Sequence, residues 1–302
     1  MSDFRLKVFQ SVAKNLSFTK ASQELFVSQP AITKHIQELE AAYQTRLFDR
    51  QGSRISLTEA GKLLLEHCER ILEDYKRLEY EMHLLHNEYT GGLKLGASTT
   101  VAQYVLPPLL ASFIGKFPHV NLSLLNGNSR EIEAALQEHR IDLGFVEGVF
   151  RLPNIKYTTF LKDELVAVVR TGSKLAIGEE ITPEELLHLP LVLRERGSGT
   201  LDVFERALQQ HNIKLSSLQV LMYLGSTESI KLFLEHTDCL GIVSIRSITR
   251  ELYSGQLRVV EIKDMPMLRD FSFAQPQGQE SGLAQVFMQF AMHYNNKLQC
   301  IS

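Results

Sequence analysis

Three groups of side chains in this 302-residue sequence have types and spacings suited to chemistry on a partner. In the first, Pro30, Thr33, Lys34 and Gln37 fall on one helical face, with Ser28 at its start and Gln29 at its rim. Thr19 and Lys20 precede them on a shorter helical stretch. A hydroxyl, an amide and a cation on one face form a set that reads base edges in a DNA major groove. In the second, Arg46, Arg50 and Arg54 flank a Gln51-Gly52-Ser53 turn. Arginines so placed reach phosphates or the minor groove. The third lies far downstream, where glycines and hydroxyls gather at strand-to-helix junctions: 96–100 (GASTT), 126–129 (NGNS), 194–200 (RERGSGT) and 225–228 (GSTE). Such junctions offer unpaired N–H groups and the positive end of a helix dipole to a carboxylate or phosphate.

Taken singly, each has a plainer reading. A serine or threonine at a helix start is an N-cap, a glycine in a βα turn serves backbone geometry, and one lysine is a solvated charge. The meaning lies in the elements that hold them together.

The first 58 residues read as a three-helix head with a wing. Leu6, Phe9, Val12 and Ala13 give a helix ending near Asn15. Ser17 or Thr19 caps a second helix running to about Leu25, and Phe26-Val27 makes a turn. Ser28 caps the third helix, with Pro30 in its first turn, where a missing N–H costs nothing. Ile32, Ile36, Leu39 and Tyr43 line its inner face, and Ala21 lets it cross the second helix closely. Leu47-Phe48 and Ile55–Leu57 form the strands of the wing.

The net charge is −3, which excludes a protein that coats nucleic acid along its whole length. Its distribution is uneven. Residues 1–58 carry eight Lys/Arg against five Asp/Glu, a net of +3, and residues 59–90 carry four against eight, a net of −4. Three scattered cysteines, Cys68, Cys239 and Cys300, fit a reducing compartment and have no metal-ligand spacing. No leader-like or membrane-spanning run is present in the sequence, so the expected location is the cytoplasm, with no membrane partner.

From residue 59 to 89 there is no proline, and Gly61 is the sole glycine. Leu64, Cys68, Ile71, Tyr75, Leu78, Met82, Leu85 and Tyr89 follow alternating spacings of four and three, an a/d seam for a partner helix. The expected dimer seam is Leu64, Ile71, Tyr75, Leu78, Met82 and Leu85. Two heads on one dimer would let a charge of +3 per head suffice, because two half-sites are read together.

Beyond the Gly91-Gly92 break the pattern alternates strand and helix: strand 93–97, helix 99–117, strand 120–125, helix 130–139, strand 141–146. After a strand at 165–170, a second alternation runs from helix 182–188 to strand 241–245, and the last 20 residues are helical. This predicts parallel βαβ units in two α/β lobes, with crossovers near 161–170 and 262–272. Lobe I would comprise 90–162 and 268–302, and lobe II 163–267.

The head resembles the winged helix-turn-helix of the LysR-type transcriptional regulators. The carrying segments are FTKASQELFVSQPAITKHIQELE, then LFDR, then Leu57-Thr58-Glu59-Ala60-Gly61. The resemblance implies that Ser28, Gln29, Pro30, Thr33 and Lys34 lie nearest bases and phosphates. At position 34 the family commonly has arginine. Lysine is a point charge and no bidentate fork, so a phosphate contact is expected there. His35, a second departure, reads as a solvated or packing residue. The resemblance also implies an antiparallel linker-helix pair and a two-lobed effector domain of periplasmic-binding type, with the inducer between lobes. On it, Ser98, Thr99, Thr100, Ser198, Gly199 and Thr200 are the expected contacts, with Asn126 and Glu147 behind them. RERGSGT in particular resembles regulators of sulfur and carbon assimilation.

The expected partners are double-stranded promoter DNA, a small anionic inducer, further copies of the chain as a homodimer or homotetramer, and RNA polymerase. No cofactor, metal or catalytic residue is expected. The sequence has no P-loop, GxSxG, HExxH or dinucleotide fingerprint, and Ser198 has no identified base. The alternative is a solute-binding module without a DNA role, against which the 58-residue head speaks.

Overall fold

A computed structural model describes residues 4–51, 54–86, 89–148, 151–175, 178–277 and 282–299. The chain divides into two compact units, Met1–Asn87 and Glu88–Ser302.

In the first unit, α1 (Phe4–Asn15), α2 (Phe18–Glu24) and α3 (Gln29–Tyr43) pack around Phe9, Val12, Ala21, Ile32 and Ile36, all buried. The caps are those expected: Ser17 accepts from the Lys20 N–H, and Ser28 from the Ala31 N–H at 3.4 Å. The wing is an antiparallel pair, β1 (Phe48–Gln51) and β2 (Arg54–Leu57), with Phe48 opposite Leu57. The wing-turn residues Gly52 and Ser53 and the side chains of Arg50 and Arg54 lie outside the described residues.

The long helix α4 (Glu59–His86) extends about 42 Å at 1.5 Å per residue. Its seam divides into two parts. Cys68 and Leu72 are buried in the head's own core, and Leu64 and Leu65 pack against it. Leu64, half-buried, packs in part against this chain's own core. Desolvation holds the Cys68 thiol up at about 11, and its Sγ donates to the Leu6 carbonyl. Further along, Ile71, Leu78 and Met82 stay exposed and Tyr75 half-buried. The Leu85 side chain lies outside the described residues.

At the start of α4, Gly61 is required by contact. A Cβ there would sit 2.2 Å from the Leu47 carbonyl oxygen and 2.9 Å from Leu57 Cδ2. Alanine within a helix is ordinarily favoured over glycine by about 1 kcal/mol. Here Gly61→Ala is expected to destabilise the head by about 1–3 kcal/mol, the cost of overpacking. A lowered first transition in scanning calorimetry checks it; an unchanged or raised one contradicts it.

The second unit is one ten-stranded sheet flanked by helices. In chain order it comprises β3 (Gly91–Ser98), α5 (Thr99–Tyr104), α6 (Leu106–Lys116), β4 (Val120–Gly127), α7 (Ser129–Gln137), β5 (Leu143–Val146) and β6 (Ile155–Arg170). Then follow β7 (Glu180–Ile181), β8 (Pro190–Arg194), α8 (Gly199–Gln210), β9 (Gln219–Leu224), α9 (Thr227–His236) and β10 (Leu240–Ser244). The last elements are α10 (Thr249–Tyr253), β11 (Leu257–Ile262), β12 (Met267–Pro276) and α11 (Gly282–Gln299).

The strand order is β4-β3-β5-β12-β6-β10-β8-β9, with β11 against β6 and β7. At one end β3 runs parallel to β4 and β5, and at the other β8 runs parallel to β9 and β10. These are the parallel halves of lobes I and II. Antiparallel β6 and β12 join them, paired from Ile155 with Pro276 to Leu165 with Met267.

Three local expectations differ. The helix expected over 99–117 is two helices broken at Val105, because Pro107 carries no N–H to continue the first. The segment 183–188 is a 3-10 turn, not an α-helix. The strand at 165–170 begins ten residues earlier, at Ile155, where β6 already pairs with Pro276 of β12.

Candidate functional site

The strand ends of both lobes converge. From lobe I come Ser98, at the end of β3, then Thr99 and Thr100 at the start of α5, and Glu147, just after β5. From lobe II come Arg194, ending β8, and Ser198, Gly199 and Thr200 at the start of α8. All are buried. Two further residues enter from the joining strands: Asp163 from β6 and Arg269 from β12, at 5% and 6% exposure.

Two clusters result. In one, Arg194 lies along Glu195, with Nε and Nη2 donating at 2.8 and 3.0 Å, and its Nη2 also reaches Thr99 Oγ1 across the lobes at 3.4 Å. Among the described residues its Nη1 has no partner, nor has the Ser98 hydroxyl, and both atoms are inaccessible to solvent. Buried donors are almost always bonded, so two unmet ones are costly unless something fills the role.

In the second cluster, Arg269 Nη1 lies 3.1 Å from Glu147 Oε1 and donates to Thr200 Oγ1 at 3.0 Å, while its Nε donates to Asp163 at 2.7 Å. Thr100 and Thr200, one from each lobe, both donate to Glu147 Oε1 at 3.3 and 3.4 Å. Ser244 donates to the other Asp163 oxygen at 2.8 Å. Glu147 Oε2 and Arg269 Nη2 have no partner among the described residues.

The lobes also touch at three other places. The Arg130 N–H donates to the Gly197 carbonyl at 3.3 Å. Gly199 packs directly on Glu147, where a Cβ would meet the carbonyl oxygen at 2.3 Å. Tyr104 of α5 donates to Glu228 of α9, which is itself paired with buried Lys231. Burial and that hydrogen bond push the Tyr104 hydroxyl well above its ordinary range.

Several expected site residues are therefore brought together: Ser98, Thr99, Thr100, Glu147, Gly199 and Thr200. Ser198 is a plain N-cap, its hydroxyl accepting from the Leu201 N–H. Asn126 does not join them, because it sits exposed on edge strand β4. Asn128 and Ser226, at the remaining junctions, are helix caps as well. Sequence reasoning missed Arg194 and Arg269. The available signal was an arginine at an inward position of an otherwise apolar strand, as in Met267, Arg269, Phe271.

In the head, Ser28, Gln29, Pro30, Lys34 and Gln37 are exposed and Thr33 is half-buried. Thr33 Oγ1 donates to the Gln29 carbonyl, and Thr19 Oγ1 to the Gln29 side-chain oxygen at 3.2 Å. Thr19, Lys20 and Arg46 are exposed on the same unit. His35 packs edge-on against Phe4, as a packing residue would.

Residues 4–62 match the family model of the bacterial regulatory helix-turn-helix protein, lysR family, and residues 86–295 match that of the LysR substrate binding domain. The chain belongs to the LysR family. It is a LysR-type transcriptional regulator: a DNA-binding helix-turn-helix joined to an effector-binding domain. Similar proteins include the HTH-type regulator YeiE of Escherichia coli K12, 34% identical over 85% of both chains. A probable RuBisCO transcriptional regulator of Cyanidioschyzon merolae is 31% identical over 94% of this chain and 95% of its own. Among solved structures, the regulatory domain of Synechocystis CcmR in complex with 2-PG is 28% identical. It has a TM-score of 0.62, covering 68% of this chain and 97% of that one. No helix among the described residues of this LysR-type regulator is long and apolar enough to cross a membrane.

Proposed function

We propose that this regulator controls transcription in response to a small anion held between its lobes. The observation that carries the reading is the buried Arg194, whose Nη2 reaches Thr99 and whose Nη1 lacks a partner among the described residues, as does the hydroxyl of Ser98, next to Thr99 in the chain. A guanidinium edge, a hydroxyl and the first N–H groups of α5 are three donors for a carboxylate or phosphate. Thr99 and Thr100 line the lobe I side; Gly199 and Thr200 line the lobe II side. The resemblance to a domain solved with 2-PG supports the class. The anion binds better where Arg194 and Thr99 face each other, and so favours that arrangement of the lobes.

The head reads operator DNA through Gln29, Thr33 and Gln37, with Ser28, Pro30, Lys34, Thr19 and Lys20 nearby and Arg46, Arg50 and Arg54 on phosphates. Copies pair through Ile71, Tyr75, Leu78, Met82 and Leu85 of α4. Pairing of dimers into a tetramer is supported by the edge strands, where β4 exposes Leu124 and Leu125, and β9 Leu221, Met222 and Tyr223. RNA polymerase is the partner through which bound protein acts, in the cytoplasm and with no catalytic step of its own.

The test is fluorescence anisotropy with DNA from the gene's own upstream region at about 0.15 M salt, where specific binding exceeds non-specific by 10³ or more. Gln29→Ala or Thr33→Ala is expected to cost about tenfold per half-site, with the response to 2-PG retained. Equal affinity for random DNA sinks the regulator reading. Failure of every small carboxylate and phosphate tried, 2-PG included, to alter binding or melting sinks the anion reading.

A further inference from the structure

A cavity of about 360 Å3 opens between α7 and the start of α8. It is lined by Ser129, Arg130, Glu133 and Gln137 of α7, by Glu147 and Gly148 after β5, by Asp202 of α8, and by apolar Ala134 and Leu152. Ser98, Thr99, Thr100 and Arg194 are not among its walls; Glu147 alone belongs to both places. The volume lies within the range of small-molecule sites.

Its polar groups are unbalanced. Glu133 is nine-tenths buried, at 9% exposure. One of its oxygens receives the Tyr157 hydroxyl at 2.6 Å, and the other has no hydrogen bond among the described residues. Burial raises the Glu133 carboxyl above its ordinary range, and burial raises that of Asp202 too. Glu133 is buried and Asp202 half-buried, and the charges of Arg130 and, at Glu133, of Arg151 offset that burial only in part. Glu147 needs none, being bound to Arg269. The one cation of the lining, Arg130, makes no side-chain hydrogen bond or ion pair among the described residues, yet its charge is felt by both carboxyls.

What is missing beside Glu133 and Asp202 is an ammonium group. Arg130, exposed and in no direct ion pair among the described residues, can take a carboxylate. Ala134 and Leu152 offer an apolar wall for a short side chain. We infer that this cavity is a second ligand site, taking an α-amino acid with its ammonium between Glu133 and Asp202 and its carboxylate on Arg130.

The two carboxylates come from different lobes, Glu133 from α7 and Asp202 from α8. An ammonium between them ties the lobes together where the Arg130 N–H already meets the Gly197 carbonyl. Occupancy therefore favours close lobes whatever fills the space beside Arg194.

The experiment uses the full-length protein, with each of the twenty L-amino acids as a separate probe at 10 mM, ethylamine and acetate as fragments, and two readouts, thermal shift and titration calorimetry. At least one amino acid is expected to bind one per chain and raise the second melting transition. Glu133→Gln and Asp202→Asn are each expected to weaken it tenfold or more, and Arg194→Met to leave it within twofold. Glu133→Gln keeps the acceptor for Tyr157, and Asp202→Asn lies at a half-exposed position, so at least one variant stays folded. The proposal is overturned if no amino acid binds, or if binding survives both α7 and α8 variants and is lost in Arg194→Met. Ethylamine or acetate binding as tightly as the amino acid would remove the two-ended recognition and overturn it as well.

Discussion

Arg269→Met is expected to lower the stability of the effector-binding unit by about 3–5 kcal/mol, the usual cost of removing one partner from a buried ion pair. Arg269 faces two carboxylates, Glu147 and Asp163, whose side chains are 2% and 0% exposed. Asp163 would keep the Ser244 hydroxyl, with Arg246 3.6 Å away, but Glu147 would keep only the hydroxyls of Thr100 and Thr200. Two threonine hydroxyls do not replace a guanidinium against a desolvated carboxylate. The second calorimetric transition should fall by about 10 °C for a unit of this size. The triple variant Glu147→Gln, Asp163→Asn, Arg269→Met, in which no charge is left alone, should recover most of the loss. A change below about 1 kcal/mol in the single variant would mean that water reaches these carboxylates, against their burial.

Gly199→Ala should be the most damaging single methyl group in the chain for effector response. Its Cβ would meet three atoms of Glu147: the carbonyl oxygen at 2.3 Å, the carbonyl carbon at 2.5 Å and Cγ at 2.6 Å. Two of these belong to the backbone and cannot swing aside. The lobes must part by roughly an ångström, and the donors aimed at one ligand then cease to converge; a displacement of that size costs about a hundredfold. Anion affinity is expected to fall by that factor in titration calorimetry, with operator affinity of the unliganded protein within threefold. Gly225→Ala is the control, because nothing lies within 4 Å of its Cβ position. Equal anion affinity in the two variants would show that the lobes do not need to touch at Gly199.

Much of this was legible in the sequence because it is local. The caps Ser17 and Ser28 and the Ile32-Ile36-Leu39 face need no knowledge of distant residues. The strand-to-helix junctions were equally readable. What stayed hidden was set by pairing over long separations. Arg269 meets Asp163 across 106 positions and Arg194 meets Thr99 across 95, so no spacing announces either. Asn126 had the right local pattern, but its strand is at the sheet edge, a fact of strand order. The α4 seam looked uniform at heptad spacing, yet Cys68 turns toward its own head. A repeat says which residues share a face and says nothing about what covers it.

The pairing of β5 with β12 has a further consequence for how the protein is made. Lobe II is contiguous in the chain and has all its own strands once residue 262 has emerged. Lobe I is not: β5 pairs with β3 but lacks its other neighbour until β12 is synthesised, nearly last. For the time it takes to translate more than a hundred residues, β5 offers a bare edge of Leu143, Gly144, Phe145 and Val146. The nascent chain is thus most prone to mispairing late in synthesis, and a messenger truncated before Met267 yields a chain with that edge permanently open.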